Sequence, residues 1–201
     1  PVVTVFMVNA ADKVIQSRPV DVVAKEALLN ETLLEVNNLK VWFPGRKSFF
    51  GKPQNYIKAV DDVSFIINKG ETVGLVGESG CGKTTLGRTI LRLIEPTGGS
   101  IKYNQKELTA YSREQFRQFR KDIQIVFQDP YGSLNPRLMV GEAIAEPLTV
   151  HETFVRSKER KERVIELLEK VNLSADHFNR YPHEFSGGQR QRIVIARALI
   201  L

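Results

Sequence analysis

The chain has 201 residues, 42% of them hydrophobic and 26% charged, with a formal net charge of +6; that length can bury one real core, and the composition excludes a disordered or collagen-like chain. A single cysteine excludes an internal disulfide and fits a reducing compartment. No run approaches the roughly eighteen apolar residues that span a bilayer, and the apolar start from Pro1 to Val8 lacks the basic leader and cleavage site of a signal peptide.

Residues 1–30 carry no motif or turn chemistry and read as a linker or the tail of a preceding domain, with a weak helical pattern over Val20–Leu29. Strands are predicted at Thr32–Val36 and Lys40–Phe43, where β-branched and apolar residues gather. Pro44-Gly45-Arg46-Lys47 and Gly51-Lys52-Pro53 mark a long basic loop. Ile57–Val60 and Val63–Ile67 read as strands, and Asn68-Lys69-Gly70 turns the chain into a further apolar strand, Thr72–Val76. A helix is predicted over Thr85–Ile94, stopped by Pro96-Thr97-Gly98-Gly99, and a short strand over Ser100–Tyr103.

Ser112-Arg113-Glu114-Gln115 is a capping box that opens a basic helix to about Arg120. Ile123–Phe127 has the continuous apolar form of a strand buried on both faces, and Asp129-Pro130-Tyr131-Gly132 with Asn135-Pro136 breaks it into a loop. Helices follow at Val140–Glu146, at Lys158–Val171 and from about Gly187 to Leu201. Strands alternating with helices argue for an α/β fold, and residues 131–185 for a helical subdomain. The basic residues of Arg113–Lys121 and Arg156–Lys170 are interleaved with acids, as on solvated helix faces, so no nucleic-acid partner is expected.

Gly77-Glu78-Ser79-Gly80-Cys81-Gly82-Lys83-Thr84 reads G-x-x-x-x-G-K-[ST] between the strand at Thr72–Val76 and the helix at Thr85–Ile94. Glycines let successive backbone amides curl round an anion, and the first turn of the helix adds donors and a positive dipole end. Lys83 would neutralise the β/γ-phosphates and the Thr84 hydroxyl would hold Mg²⁺, so this reads as an NTP site. Cys81 fills an unconstrained position of the loop; beside a helix N-terminus it is expected to react with alkylating reagents, more slowly when ATP is bound.

Ser186-Gly187-Gly188-Gln189 forms another capping box, with Ser186 as N-cap. Capping does not explain the two glycines, each of which costs about 1 kcal/mol of helix propensity against alanine. Bare amides at a helix N-terminus suit an anion that approaches the backbone closely, which makes this a second phosphate-binding surface. Gln128, at the carboxyl end of the strand Ile123–Phe127, stands where a doubly wound sheet faces its ligand and could ligate Mg²⁺ or orient a water.

With these three motifs in order, the chain from about Thr32 to Leu201 resembles the nucleotide-binding subunit of an ABC transporter: Gly77–Thr85 matches Walker A, Gln128 the Q-loop and Phe185–Gln189 the signature. Phe127–Arg137 and Tyr181–Gln189 look closest to the oligopeptide/dipeptide importer branch, including Phe185 where many members carry Leu. The resemblance implies a P-loop ATPase core with an antiparallel β subdomain and a helical subdomain, and two such domains paired head to tail. ATP would lie between Walker A of one, residues Gly77, Glu78, Ser79, Gly80, Cys81, Gly82, Lys83, Thr84 and Thr85, and Ser186, Gly187, Gly188 and Gln189 of the other. Lys83 and Gln128 would serve hydrolysis, Thr84 and Gln128 the Mg²⁺, and Phe43, with Trp42 as the alternative, would stack on adenine.

The implied partners are a second nucleotide-binding domain, permease subunits met by the loop after Gln128 and, indirectly, a solute-binding protein, at the cytoplasmic face of the membrane. The chain starts without Met and stops at Leu201 inside an apolar helical run, so both ends read as cut from something longer. The family's Walker B carboxylates and switch His would follow Leu201; on that expectation the domain is C-terminally truncated and binds ATP with little or no turnover. A soluble ABC-type ATPase acting on nucleic acid or ribosomes, and half of a fused tandem protein, are the competing readings. The transporter-like Pro130–Arg137 segment, the single compact helical insert and the absence of heptads or Cys pairs favour the transporter subunit over the soluble ATPase.

Overall fold

The computed structural model describes residues 3–6, 31–45, 55–127, 129–151 and 156–201, the first four as backbone. The helical pattern over Val20–Leu29, most of the basic loop after Pro44 and Gln128 lie outside them. The described chain forms two units, one within Met7–Arg120 and one comprising Val2–Phe6 with Lys121–Leu201.

The first unit is built on a four-stranded antiparallel sheet, of which β2 (Thr32–Pro44) and β3 (Tyr56–Asn68) are the long strands. Each replaces two short predicted strands. The apparent breaks, Asn37-Asn38 and Asp61-Asp62, are irregularities of the ladder in which Asn38 (φ 46°) and Asp62 (φ 60°) adopt left-handed backbone. Asn and Asp tolerate that region, and here Asn38 Nδ2 also donates to Asp62 Oδ1 at 2.9 Å. The extra residue restores parity: Leu34 and Val36 face inward before it, Leu39 and Val41 after it. Gly99 (φ 85°) passes against this kink, where a Cβ would sit 2.5 Å from the Asn38 carbonyl oxygen.

The sheet is completed by β4 (Gly98–Tyr103) and β5 (Lys106–Glu107), in the order β3-β2-β4-β5. Ile101, Tyr103 and Leu108 are buried with Phe116 and Phe119; Phe119 packs edge-on to Tyr103 at 6.4 Å. Phe116 belongs to the short helix α2 (Arg113–Phe116), opened by the predicted box: Ser112 Oγ accepts the Gln115 amide and Gln115 returns to the Ser112 amide.

Helix α1 (Lys83–Ile90) ends four residues before the predicted stop at Ile94. Arg92 takes a left-handed conformation (φ 53°), its amide bonds the Thr89 carbonyl and the Leu93 amide the Arg88 carbonyl, the pairing that closes a helix end. Arginine stands where glycine is usual because its guanidinium is held, by the Leu108 and Tyr111 carbonyls and by Glu95.

The strand predicted at Thr72–Val76 is not formed: the segment has no ladder partner, and Val73, Leu75 and Val76 are 47%, 51% and 82% exposed. An apolar run supplies side chains for a sheet, but a strand needs a neighbour to take its amides and carbonyls, and none of the described strands does so.

In the second unit, β6 (Ile123–Val126) pairs in parallel with β1 (Val3–Phe6). Ile123 and Val126, on opposite faces of β6, are buried and Gln124 and Ile125 between them half-buried, so both faces are at least partly covered. Three helices carry the core: α3 (Val140–His151), α4 (Ser157–Lys170) and α5 (Gly187–Leu199). Val140, Ile144 and Leu148 recur at the helical period along α3 and meet Val164 and Leu168 of α4 and Ile193 of α5, all fully buried. Helix α3 runs past the predicted end at Glu146 because this stripe continues to Leu148, beyond Pro147. Gly141 lets α3 lie against Phe178; a Cβ there would meet the ring at 2.5 Å.

Candidate functional site

The glycine-rich loop leads directly into α1, with Gly82 at the N-cap. Gly80 (φ 83°) and Gly82 (φ 99°) hold left-handed backbone, which places amides on the inside of the curl. Gly82 is also sterically fixed, since a Cβ would lie 2.1 Å from the Ala59 carbonyl oxygen of β3. Gly77 shares this constraint more weakly, with Cys81 Sγ at 2.8 Å from its virtual Cβ.

Lys83 turns its ammonium back over the loop, donating to the carbonyl oxygens of Gly77 at 2.7 Å and Glu78 at 2.6 Å, and to Cys81 Sγ at 3.5 Å. The cation therefore stands over the loop within reach of its backbone, and a glycine-rich turn at a helix N-terminus with a lysine beside it suits a polyphosphate in charge. The Ser79 and Thr84 side chains are exposed, and Thr85 Oγ1 lies on a helix whose next turn is buried through Leu86, Thr89 and Ile90. Among the described residues no group of three or more His, Cys, Asp or Glu converges. A lone hydroxyl such as that of Thr84 fits Mg²⁺, which is usually held by one or two protein groups plus substrate phosphates. Gln128, the other residue expected at the ion, lies outside the described residues.

The register of β2 on β3 locates the two candidate aromatics. Trp42 opposes Lys58 and is engaged: Nε1 donates to Asp61 Oδ1 at 3.0 Å, Lys58 Nζ stands 4.7 Å over the ring, and Tyr56 packs at 6.3 Å. The Asp61 carboxyl is held below the ordinary aspartate range chiefly by the Lys58 hydrogen bond, which outweighs the opposing effect of burial, with a lesser contribution from the Trp42 indole. Phe43 opposes Ile57, two residues before the Ala59 carbonyl that abuts Gly82, and is 38% exposed. Of the pair, Phe43 is the more exposed and Trp42 the one engaged by neighbouring side chains.

Ser186 caps α5 as expected: its Oγ accepts the Gln189 amide at 3.3 Å and Gln189 Oε1 accepts the Ser186 amide at 3.0 Å. Gly187 and Gly188 are exposed, with nothing within 4 Å of where a Cβ would stand. Their amides belong to the first turn, where no intrahelical acceptor exists. Phe185 turns inward at 4% exposure and meets the edge of His177 at 5.0 Å, which anchors the turn before the cap.

Two residues of α5 went unnoticed in the sequence. Arg190 is buried and donates from Nε to the Pro182 carbonyl at 2.7 Å, with the Tyr131 ring centroid 4.0 Å from Cζ. Arg197 bonds the Ser133 carbonyl and Glu146, both at 2.8 Å. The available signal was phase: Arg190 and Arg197 share the helical stripe of Ile193 and Val194, where an apolar residue is the rule.

Comparison with known proteins agrees with this geometry. The ABC transporter family matches residues 60–201. The oligopeptide transport ATP-binding protein OppF of Bacillus subtilis is 54% identical over 172 residues, 85% of this chain and 54% of that protein. The dipeptide transport ATP-binding protein DppF of Escherichia coli is 46% identical over 177 residues, 88% of this chain and 52% of its own length. The chain thus spans about half the length of the relatives it matches. Among solved structures, the dimeric post-hydrolysis form of the ATP-binding cassette MJ0796 bound to ADP and Pi superposes with a TM-score of 0.73 at 29% identity, covering 84% of this chain and 69% of that one.

Proposed function

Because this chain belongs to the ABC transporter family, we propose that it captures ATP at Gly77–Thr85 and that the whole protein hydrolyses it to drive uptake of peptides, or similar small solutes, through a membrane permease. The observation that carries the reading is the ammonium of Lys83 held over the loop by the Gly77 and Glu78 carbonyls. On phosphate arrival it exchanges two carbonyl oxygens for charged ones, and the stronger charge-assisted bonds offset the loss of the two internal ones.

Phe43, the more exposed of the two aromatics, stacks on adenine, and the loop amides with Lys83 grip the phosphates. Mg²⁺, when bound, supplies further charge neutralisation on the β/γ-phosphates, with Thr84 and Gln128 as its protein ligands. Ser186–Gln189 supplies the remaining donors to a nucleotide held by a second domain, head to tail, so that in-line attack by water meets preorganised positive potential on both sides. The loop after Gln128 meets the permease at the cytoplasmic face of the membrane. Peptide cargo is the reading favoured by the transport names of the relatives.

The test is reconstitution of the full-length protein with its permease and solute-binding protein in vesicles. ATP-dependent accumulation of labelled oligopeptides, lost in Lys83→Ala, is the expected result. Hydrolysis stimulated by nucleic acid or ribosomes and indifferent to the permease would overturn it.

A further inference from the structure

Arg190 is a buried cation, 9% exposed, and among the described residues no carboxylate pairs with it. Its charge is met instead by two carbonyl oxygens and a ring: Nε donates to Pro182 at 2.7 Å, Nη2 to His183 at 3.3 Å, and Cζ lies 4.0 Å from the Tyr131 centroid. The two carbonyls belong to the turn Pro182–Glu184, which delivers Phe185 and the cap Ser186. The ring belongs to the loop that follows Gln128, and Tyr131 is itself 67% exposed.

Seven residues on, about two helical turns, Arg197 ties the Ser133 carbonyl and Glu146 to the same helix, each at 2.8 Å. Asp129 organises the loop between these rungs, accepting the Tyr131 amide on Oδ1 at 2.9 Å and the Ser133 hydroxyl on its carbonyl at 2.8 Å. Residues 131–133 are thus fastened to α5 at two points, one of which also fixes the turn before the cap.

We infer that Arg190 is a positioning residue for the ATP reaction: through Tyr131 it ties the presentation of the Gly187 and Gly188 amides to the conformation of the loop 129–137. The inference rests on the function proposed above. A ring over a guanidinium is a graded contact, strong enough to bias the turn and weak enough to be released when a partner pulls on an exposed tyrosine. The Arg197 rung, an ion pair plus a carbonyl bond at Ser133, is the firmer of the two attachments and serves as the fulcrum.

Arg190 variants disturb a buried site, so the test uses Tyr131, whose ring contributes little to the core. In the full-length protein, Tyr131→Leu is expected to leave ATP affinity unchanged. It should speed amide exchange over residues 181–190 and weaken the ATP-driven dimer, both by about 3- to 10-fold. Tyr131→Phe, which keeps the π face, should restore both. Unchanged exchange in Tyr131→Leu, or a Tyr131→Phe as impaired as Tyr131→Leu, overturns the inference. A wild-type protein that binds ATP and never dimerises would overturn the head-to-tail reading instead, and the exchange comparison alone would then decide the role of Arg190.

Discussion

The ammonium of Lys83 donates to the carbonyl oxygen of Gly77 at 2.7 Å, so the loop that should receive phosphate is closed by its own cation. Removing that charge removes both the closure and the phosphate partner. Lys83→Ala is expected to abolish ATP binding at micromolar protein: loss of charge-assisted bonds worth about 3 kcal/mol is roughly a hundredfold in affinity. Isothermal titration calorimetry checks it, and an unchanged dissociation constant would remove the loop from the mechanism.

Ser186 acts on a different equilibrium. Its hydroxyl caps α5 and stands beside the open amides of Gly187 and Gly188. Ser186→Ala should cost about 1 kcal/mol of stability through the lost cap. It should also weaken the ATP-driven dimer while leaving the monomer's ATP affinity as it was. Sedimentation with and without ATP separates the two; a parallel loss of monomer affinity would place Ser186 in the same half-site as Lys83.

The two neighbouring aromatics of β2 can be told apart by function. Phe43 is the more exposed and Trp42 is committed to Lys58, Asp61 and Tyr56. Phe43→Ala should weaken ATP binding by about 1–3 kcal/mol, the worth of one aromatic under a base, and should affect GTP and ATP alike. Trp42→Phe should leave the affinity within twofold, and the reverse order of effects would assign the adenine platform to Trp42.

Trp42 is the chain's single tryptophan, so its emission reports Asp61. Folding lowers the Asp61 pKa, chiefly through the Lys58 hydrogen bond. The stabilisation is therefore complete above the unfolded-state value and is lost as pH falls through the folded one. An acid titration of the emission should show a transition below the ordinary aspartate range, and Asp61→Asn should abolish it. A midpoint at or above that range would mean that the carboxylate gains nothing from its two donors.

Legibility in the sequence followed distance along the chain. The phosphate loop, the Ser112–Gln115 box and the Ser186–Gln189 box were readable because their hydrogen bonds close within three to six residues. The stripe Val140, Ile144, Leu148 was readable because helix periodicity is also local. Gln128 lies outside the described residues, and of the stretch read as a linker Val3–Phe6 is described, as a strand on β6, a pairing that no local pattern in the sequence announces.

What the sequence alone determined is the local chemistry: a glycine-rich loop with its lysine, a second helix end bared by two glycines, and an α/β chain of the ABC type. Tertiary structure decided where that chemistry is held. Asn37-Asn38 and Asp61-Asp62 looked like strand ends and became kinks inside single strands, because the partner strand accepts one extra residue. Thr72–Val76 has every local mark of a strand and is none here, since a ladder depends on a second segment. The partners of Arg190 and Arg197 are not written beside them: the fold brings Tyr131 and Ser133 to them, Ser133 from 64 residues away. Local hydrogen bonds are written in neighbouring residues, whereas a buried cation's partners are fixed only when the chain has closed around it.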